Sequence, residues 1–135
     1  MANFKYTTTP NNNPRPILKV EFSSLDEKNV LQPYMLVDSG SDVTVIDIQL
    51  APLLGVTISK CTKGTITGVG GTKLVAYQSK LLIKMLDRKT LIDVVFCDLI
   101  EKGYGMLGQR GFFEHFIVSF NGNKKLFSVE SPYSV

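Results

Sequence analysis

Asp38 is the residue in this chain best placed to do chemistry. It follows the apolar run Tyr34-Met35-Leu36-Val37 and opens the small-residue turn Ser39-Gly40-Ser41, after which Val43-Thr44-Val45-Ile46 resumes apolar character. An acid at the end of a buried strand is pulled two ways. Burial penalises its charge, while turn N–H groups and hydroxyls favour the ionised form. A carboxyl balanced between those pulls suits general acid–base work. The chain has one histidine, His115, set among Phe112, Phe113 and Phe116. A nucleophilic triad would depend wholly on it, and that setting favours a structural role. Cys61 and Cys97 form no CxxC pair and read as buried thiols rather than as a disulfide. With one histidine and dispersed cysteines, no metal-ligand cluster and no cofactor are expected.

The elements around Asp38 read mainly as short strands. Residues 17–23, 31–37, 43–48, 91–96, 116–120 and 126–129 have strand character, with turns about every ten residues. Two longer segments flank the glycine cluster Gly68-Val69-Gly70-Gly71 and suggest a long hairpin. Residues 48–54 could form a short helix ended by Gly55, with Pro52 tolerable in its first turn. Residues 109–116 look like the one clear helix, and Asn121-Gly122 marks a closing hairpin. This pattern predicts an all-β barrel or sandwich in a single domain. Residues 1–16, polar and punctuated by proline, read as a flexible arm, with the folded domain at 17–130 and a short tail at 131–135.

The net charge of +3 is the balance of fifteen basic residues against twelve acidic ones, and the basic residues are scattered, with no basic stripe interleaved with aromatics, so nucleic-acid binding is not expected. No apolar run approaches a membrane span and the N-terminus lacks a signal-peptide core. A cytoplasmic protein without a membrane partner is the resulting expectation. The glycine cluster lacks the following Lys-Ser/Thr and helix of a phosphate-binding loop.

Three landmarks fall in one order: Leu36-Val37-Asp38-Ser39-Gly40-Ser41-Asp42-Val43-Thr44, the glycine tip at 68–71, and Met106-Leu107-Gly108. Together they resemble the retroviral-type aspartic proteases (retropepsins) and their cellular and bacterial relatives, over residues 15–130. Leu107-Gly108-Gln109-Arg110-Gly111-Phe112-Phe113 and the strand after it are similar to the bacterial relatives in particular. The resemblance implies a closed retropepsin-type acid-protease β-barrel with a flap hairpin and one short C-terminal helix. It implies an aspartic endopeptidase that works as a homodimer on an extended peptide or protein substrate. Since the chain holds one Asp-Ser-Gly, a two-fold axis would bring Asp38 of each subunit together. Such a pair shares one proton and titrates as a unit.

The resemblance also assigns roles. Asp38, Ser39 and Gly40 are the catalytic turn, with the Ser39 hydroxyl bonding across the dimer and the Gly40 N–H holding the acid. Ser41, Asp42, Gly68, Val69, Gly70, Gly71, Met106 and Leu107 are substrate-binding positions, and Gly108 packs behind the turn. A Ser41 hydroxyl bonded to the carboxylate would favour its ionised form, hence an acidic optimum. Val45, Ile46, Val69, Met106 and Leu107 suggest apolar pockets and a hydrophobic preference around the cut. Retroviral enzymes usually carry arginine where this chain has Gln109, so either Arg110 reaches Asp42 or that link is weaker. A different outcome would be a dimerisation or peptide-binding module of the same fold with little proteolytic activity.

Overall fold

The computed structural model describes residues 1–132. Strands dominate it: β1 Ala2–Lys5, β2 Thr7–Thr8, β3 Pro14–Arg15, β4 Ile17–Lys19, β5 Glu21–Ser23, β6 Val30–Leu31, β7 Tyr34–Val37, β8 Val45–Asp47, β9 Thr62–Thr67, β10 Lys73–Met85, β11 Arg88–Cys97, β12 Gly105–Leu107, β13 Ile117–Asn121 and β14 Leu126–Glu130. The main sheet runs β4-β7-β12-β8-β11-β10-β5-β6, with β9 paired to β10. Its two ends belong to one bent hairpin: β4 and β5 flank Val20, β4 pairs β7, and β5 pairs β6. The Val20 N–H donates to the Pro33 carbonyl at 3.0 Å, spanning the bend. The sheet therefore curls around its contents as an all-β barrel.

The contents follow from alternation. Leu18, Val20, Phe22, Met35, Val37, Leu81, Ile83, Ile92, Val94 and Phe96 are buried, with polar or charged neighbours between several of them facing out. Strand β8 breaks the alternation, since Val45, Ile46 and Asp47 are all fully buried, as does the end of β11, where Val94, Val95, Phe96 and Cys97 are all buried. Strand β8 lies between β12 and β11, and both its faces are covered. A second cluster (Val45, Ala76, Val95, Cys97) packs with Val43, Ile66, Leu99 and Met106. It ties the hairpin strands β9 and β10 to the segment after Asp38.

Two expectations are corrected. Residues 1–16 are not a free arm. β1 pairs antiparallel with β14, Phe4 opposite Phe127, and those rings stack at 5.2 Å. β2 and β3 form a small hairpin, and the Pro16 carbonyl accepts from the Val37 N–H at 2.8 Å. Alternation explains it: Phe4 and Tyr6 are half-buried against the core, while Asn3 and Lys5 face solvent. Phe4→Ala should therefore cost about 2 kcal/mol of stability, from lost burial and ring contact. Urea denaturation measures it; an unchanged midpoint would return residues 1–5 to the status of an arm.

The second correction concerns 109–116, which form no helix. Gly111 sits at φ +97°, outside the helical region. The Phe113 and Glu114 N–H groups reach back five residues to Gly108 and Gln109, and only His115 and Phe116 close a tight turn, on the Phe112 carbonyl. Phe112 and Phe116 are buried, as the aromatic pattern suggested. The segment 48–54 is two 3₁₀ turns, Ile48–Leu50 and Pro52–Leu54, ended by Gly55 in the left-handed region. Residues 133–135 of the expected tail lie outside the described residues. Among the described residues, no helix is long and apolar enough to cross a membrane, and no group of three His, Cys, Asp or Glu side chains could hold a metal.

Both cysteines are free thiols, Cys97 buried and Cys61 half-buried. Burial pushes the Cys97 thiol from its usual 9.0 up to about 11. A thiol whose charged form is penalised in the fold contributes stability below pH 9 that is lost as pH rises toward 11. At pH 8, a disulfide-exchange reagent should label Cys61 in the folded protein and Cys97 only after unfolding. Equal labelling of both without denaturant would contradict the packing around β11.

Candidate active site

Strand β7 delivers Asp38 to the site. Its N–H donates to the Leu107 carbonyl at 3.0 Å, so β12, parallel to β7, fixes where the chain turns. The Asp38 carbonyl accepts from the Ser41 N–H at 3.1 Å, closing a four-residue turn. Within it the Gly40 N–H donates to Asp38 Oδ1 at 3.0 Å. A Cβ on Gly40 would lie 3.2 Å from that same oxygen, so any side chain here presses on the carboxylate. Asp38 is half-buried, and Ser39 and Gly40 are exposed on the single chain.

A second layer holds the turn from behind. The N–H groups of Gln109 and Arg110 donate to the Ser41 and Asp42 carbonyls at 2.8 and 3.0 Å. Gly108 fits so closely that a Cβ on it would stand 2.1 Å from the Val43 carbonyl oxygen and 2.7 Å from that of Ser41. Thr44, fully buried, joins the halves: its Oγ1 donates to the Arg110 carbonyl at 2.9 Å and accepts from the Gly108 N–H at 3.1 Å. Sequence reading passed over Thr44, although a hydroxyl inside the apolar run Val43–Ile46 was a signal that something polar must face it. Asp47 was missed as well. Its buried carboxylate accepts from the Gly103 N–H at 2.5 Å and from the Gln49 N–H at 3.5 Å, pinning the loop that leads into β12.

One expected contact is not formed, and one of two alternatives is decided. The Ser41 hydroxyl donates to the Val43 carbonyl at 2.7 Å and not to Asp38, so it supplies no reason for an acidic optimum. Arg110 does not reach Asp42. Its Nε lies 4.0 Å from Asp93 Oδ2, while Lys80 Nζ holds Asp93 Oδ1 at 2.6 Å. The Lys80 hydrogen bond keeps the Asp93 carboxyl below its usual range. Leu107, Val45 and Ile46 are fully buried core residues that expose no surface on the single chain, because both sides of β8 and β12 are packed. Met106 is half-buried against the Val45 cluster, and Asp42 is exposed.

The glycine tip lies where the landmarks suggested. β9 and β10 form a hairpin closed by the Gly68 N–H on the Thr72 carbonyl at 2.7 Å, with Gly70 and Gly71 at φ +82° and +81°. Gly68, Gly70 and Gly71 are exposed, and the Val69 side chain lies outside what is described. Below the tip, Ile66 and Ala76 of the hairpin, Val43 and Val95 of the floor, and the polar rim of Asp93 and Arg110 enclose a cleft of about 250 Å³.

This arrangement puts a hydrogen-bonded carboxylate on an open face of a chain that also holds, between the hairpin stem and the floor, a cleft of mixed apolar and polar lining. It can carry acid–base chemistry on a bound chain. The sequence model of the retroviral aspartyl protease family matches residues 12–108. An EIAV protease complexed with the inhibitor HBY-793 superposes with a TM-score of 0.54 at 22% identity, over 75% of this chain and 88% of that one. A retropepsin-like aspartic protease from Rickettsia conorii superposes with a TM-score of 0.64 at 14% identity, over 96% and 99%. No curated protein sequence matches. With the family pattern spanning the turn, the hairpin and β12, the chain belongs to the retroviral aspartyl protease family, a family of aspartic endopeptidases.

Proposed function

We propose that this chain hydrolyses peptide bonds as a homodimer, with Asp38 from each copy forming the catalytic pair. One observation carries the reading. Asp38 is gripped by the Gly40 N–H on a turn braced by Gly108 and Gln109, yet Ser39 and Gly40 remain exposed on a single chain that holds one such triplet. A second copy across a two-fold axis would cover that face and supply the second carboxylate.

The chemistry needs no covalent intermediate. A water between the carboxylates adds to the peptide carbonyl and gives its proton to the ionised Asp38, while the protonated partner donates to the carbonyl oxygen. The tetrahedral species breaks its C–N bond as a proton passes to the leaving nitrogen, releasing an acid and an amine. The substrate lies extended under the Gly68–Gly71 hairpin, which excludes water on closing. The cleft floored by Val43 and Val95 and walled by Ile66 and Ala76 takes the apolar part of a substrate side chain, with Gln78, Ser79, Asp93 and Arg110 offering polar partners around it. Ser39 and Asp42, both exposed, stand at the boundary with the second copy.

The test is cleavage of an unfolded protein from pH 3 to 7, with and without a statine-type inhibitor, over a dilution series. Inhibitor-sensitive cleavage that falls faster than linearly on dilution supports the reading. Folded protein that cleaves nothing at any pH would make the chain a binding module of this fold.

A further inference from the structure

Besides its backbone bond to Ser41, Gln109 touches the catalytic turn through its side chain. Nε2 donates to the Ser39 carbonyl at 2.7 Å. That carbonyl and the Gly40 N–H are the two ends of one planar peptide unit. The other end donates to Asp38 Oδ1 at 3.0 Å. Gripping the oxygen limits rotation of the whole plane, and rotation is what would swing the N–H off the carboxylate. A hydrogen bond accepted by the carbonyl also polarises the amide and strengthens its N–H as a donor.

Gln109 is anchored for this task. Its N–H is bonded to Ser41, its carbonyl accepts from the Glu114 N–H at 3.1 Å, and Gly108 before it is wedged against Val43. The side chain thus leaves a fixed point of the backbone and spans a short gap to the turn. We propose that Gln109 is a positioning residue that clamps the Ser39–Gly40 peptide and so aims the Gly40 N–H at Asp38. The inference rests on the reading of Asp38 as the catalytic acid. It gives the neutral amide at this position a role distinct from an ion pair with Asp42.

Two variants test it, Gln109→Met, of similar length with no donor, and Gln109→Glu, isosteric and acceptor-only when ionised. In both, exchange of the Gly40 amide proton, followed by NMR, should quicken about tenfold while the melting temperature holds. The kcat should fall about tenfold with KM within about twofold, because the turn and not the cleft is loosened. Unchanged Gly40 exchange in both variants overturns the clamp, whatever happens to kcat. Faster exchange in a protein whose wild type cleaves nothing leaves the clamp standing and sinks the catalytic reading of Asp38.

Discussion

Asp38→Asn should abolish peptide cleavage, by at least about 10³-fold, and leave the fold intact. The variant keeps the shape of the side chain and an oxygen that can accept the Gly40 N–H at the position of Oδ1. It loses the ability to take or give a proton at the pair, and acid–base catalysis by one positioned group is worth about 10²–10⁴-fold. In a symmetric dimer both proton-handling groups vanish with one substitution. The check is cleavage rate beside thermal melting and sedimentation of the same preparations. Activity of Asp38→Asn within about tenfold of wild type would place the chemistry elsewhere.

The largest expected effect on stability is at Gly108. Gly108→Ala sets a methyl 2.1 Å from the Val43 carbonyl oxygen and 2.7 Å from that of Ser41, distances no relaxation of a side chain can relieve. The backbone must part, and with it the Thr44 bond to the Gly108 N–H and the Gln109 bond to Ser41. We expect a loss of about 3 kcal/mol or more, at the upper end of overpacking effects. Whatever protein remains folded should also have lost activity, since the same carbonyls set the Asp38 turn. Gly122→Ala is the control, because a Cβ there meets open space. Urea unfolding of the pair reads the difference, and equal midpoints would refute the close packing behind the turn.

Much of this could be read in the sequence because local chemistry decided it. Asp38-Ser39-Gly40 needs a turn after a strand, and its N–H contact follows from residue types alone. The Gly68–Gly71 tip and the Asn121-Gly122 turn also appear where small residues demand them. What failed depended on partners distant in sequence. Phe4 and Tyr6 carried an alternating signal, but only the far strand Leu126–Glu130 gives it a face to cover. Leu107, Val45 and Ile46 looked like pocket residues because period-two alternation cannot tell a cleft wall from a strand packed on both sides. The aromatic spacing of 109–116 imitated a helix, and the left-handed Gly111 prevented one. Arg110 turned from Asp42 to Asp93 because β11 presents that acid beside it, a placement no spacing rule contains.

The central claim is that two copies of Asp38 share one site, and mixing subunits tests it most directly. Wild-type protein is held at constant amount and exchanged with a growing excess of Asp38→Asn, and the cleavage rate is followed. If each active dimer needs two intact acids, a threefold excess of the variant should lower the rate to about one quarter, the share of wild-type subunits still paired with each other. A rate that does not change as the variant is added, from subunits shown to exchange, would mean that one chain works alone and that the account of the site is wrong.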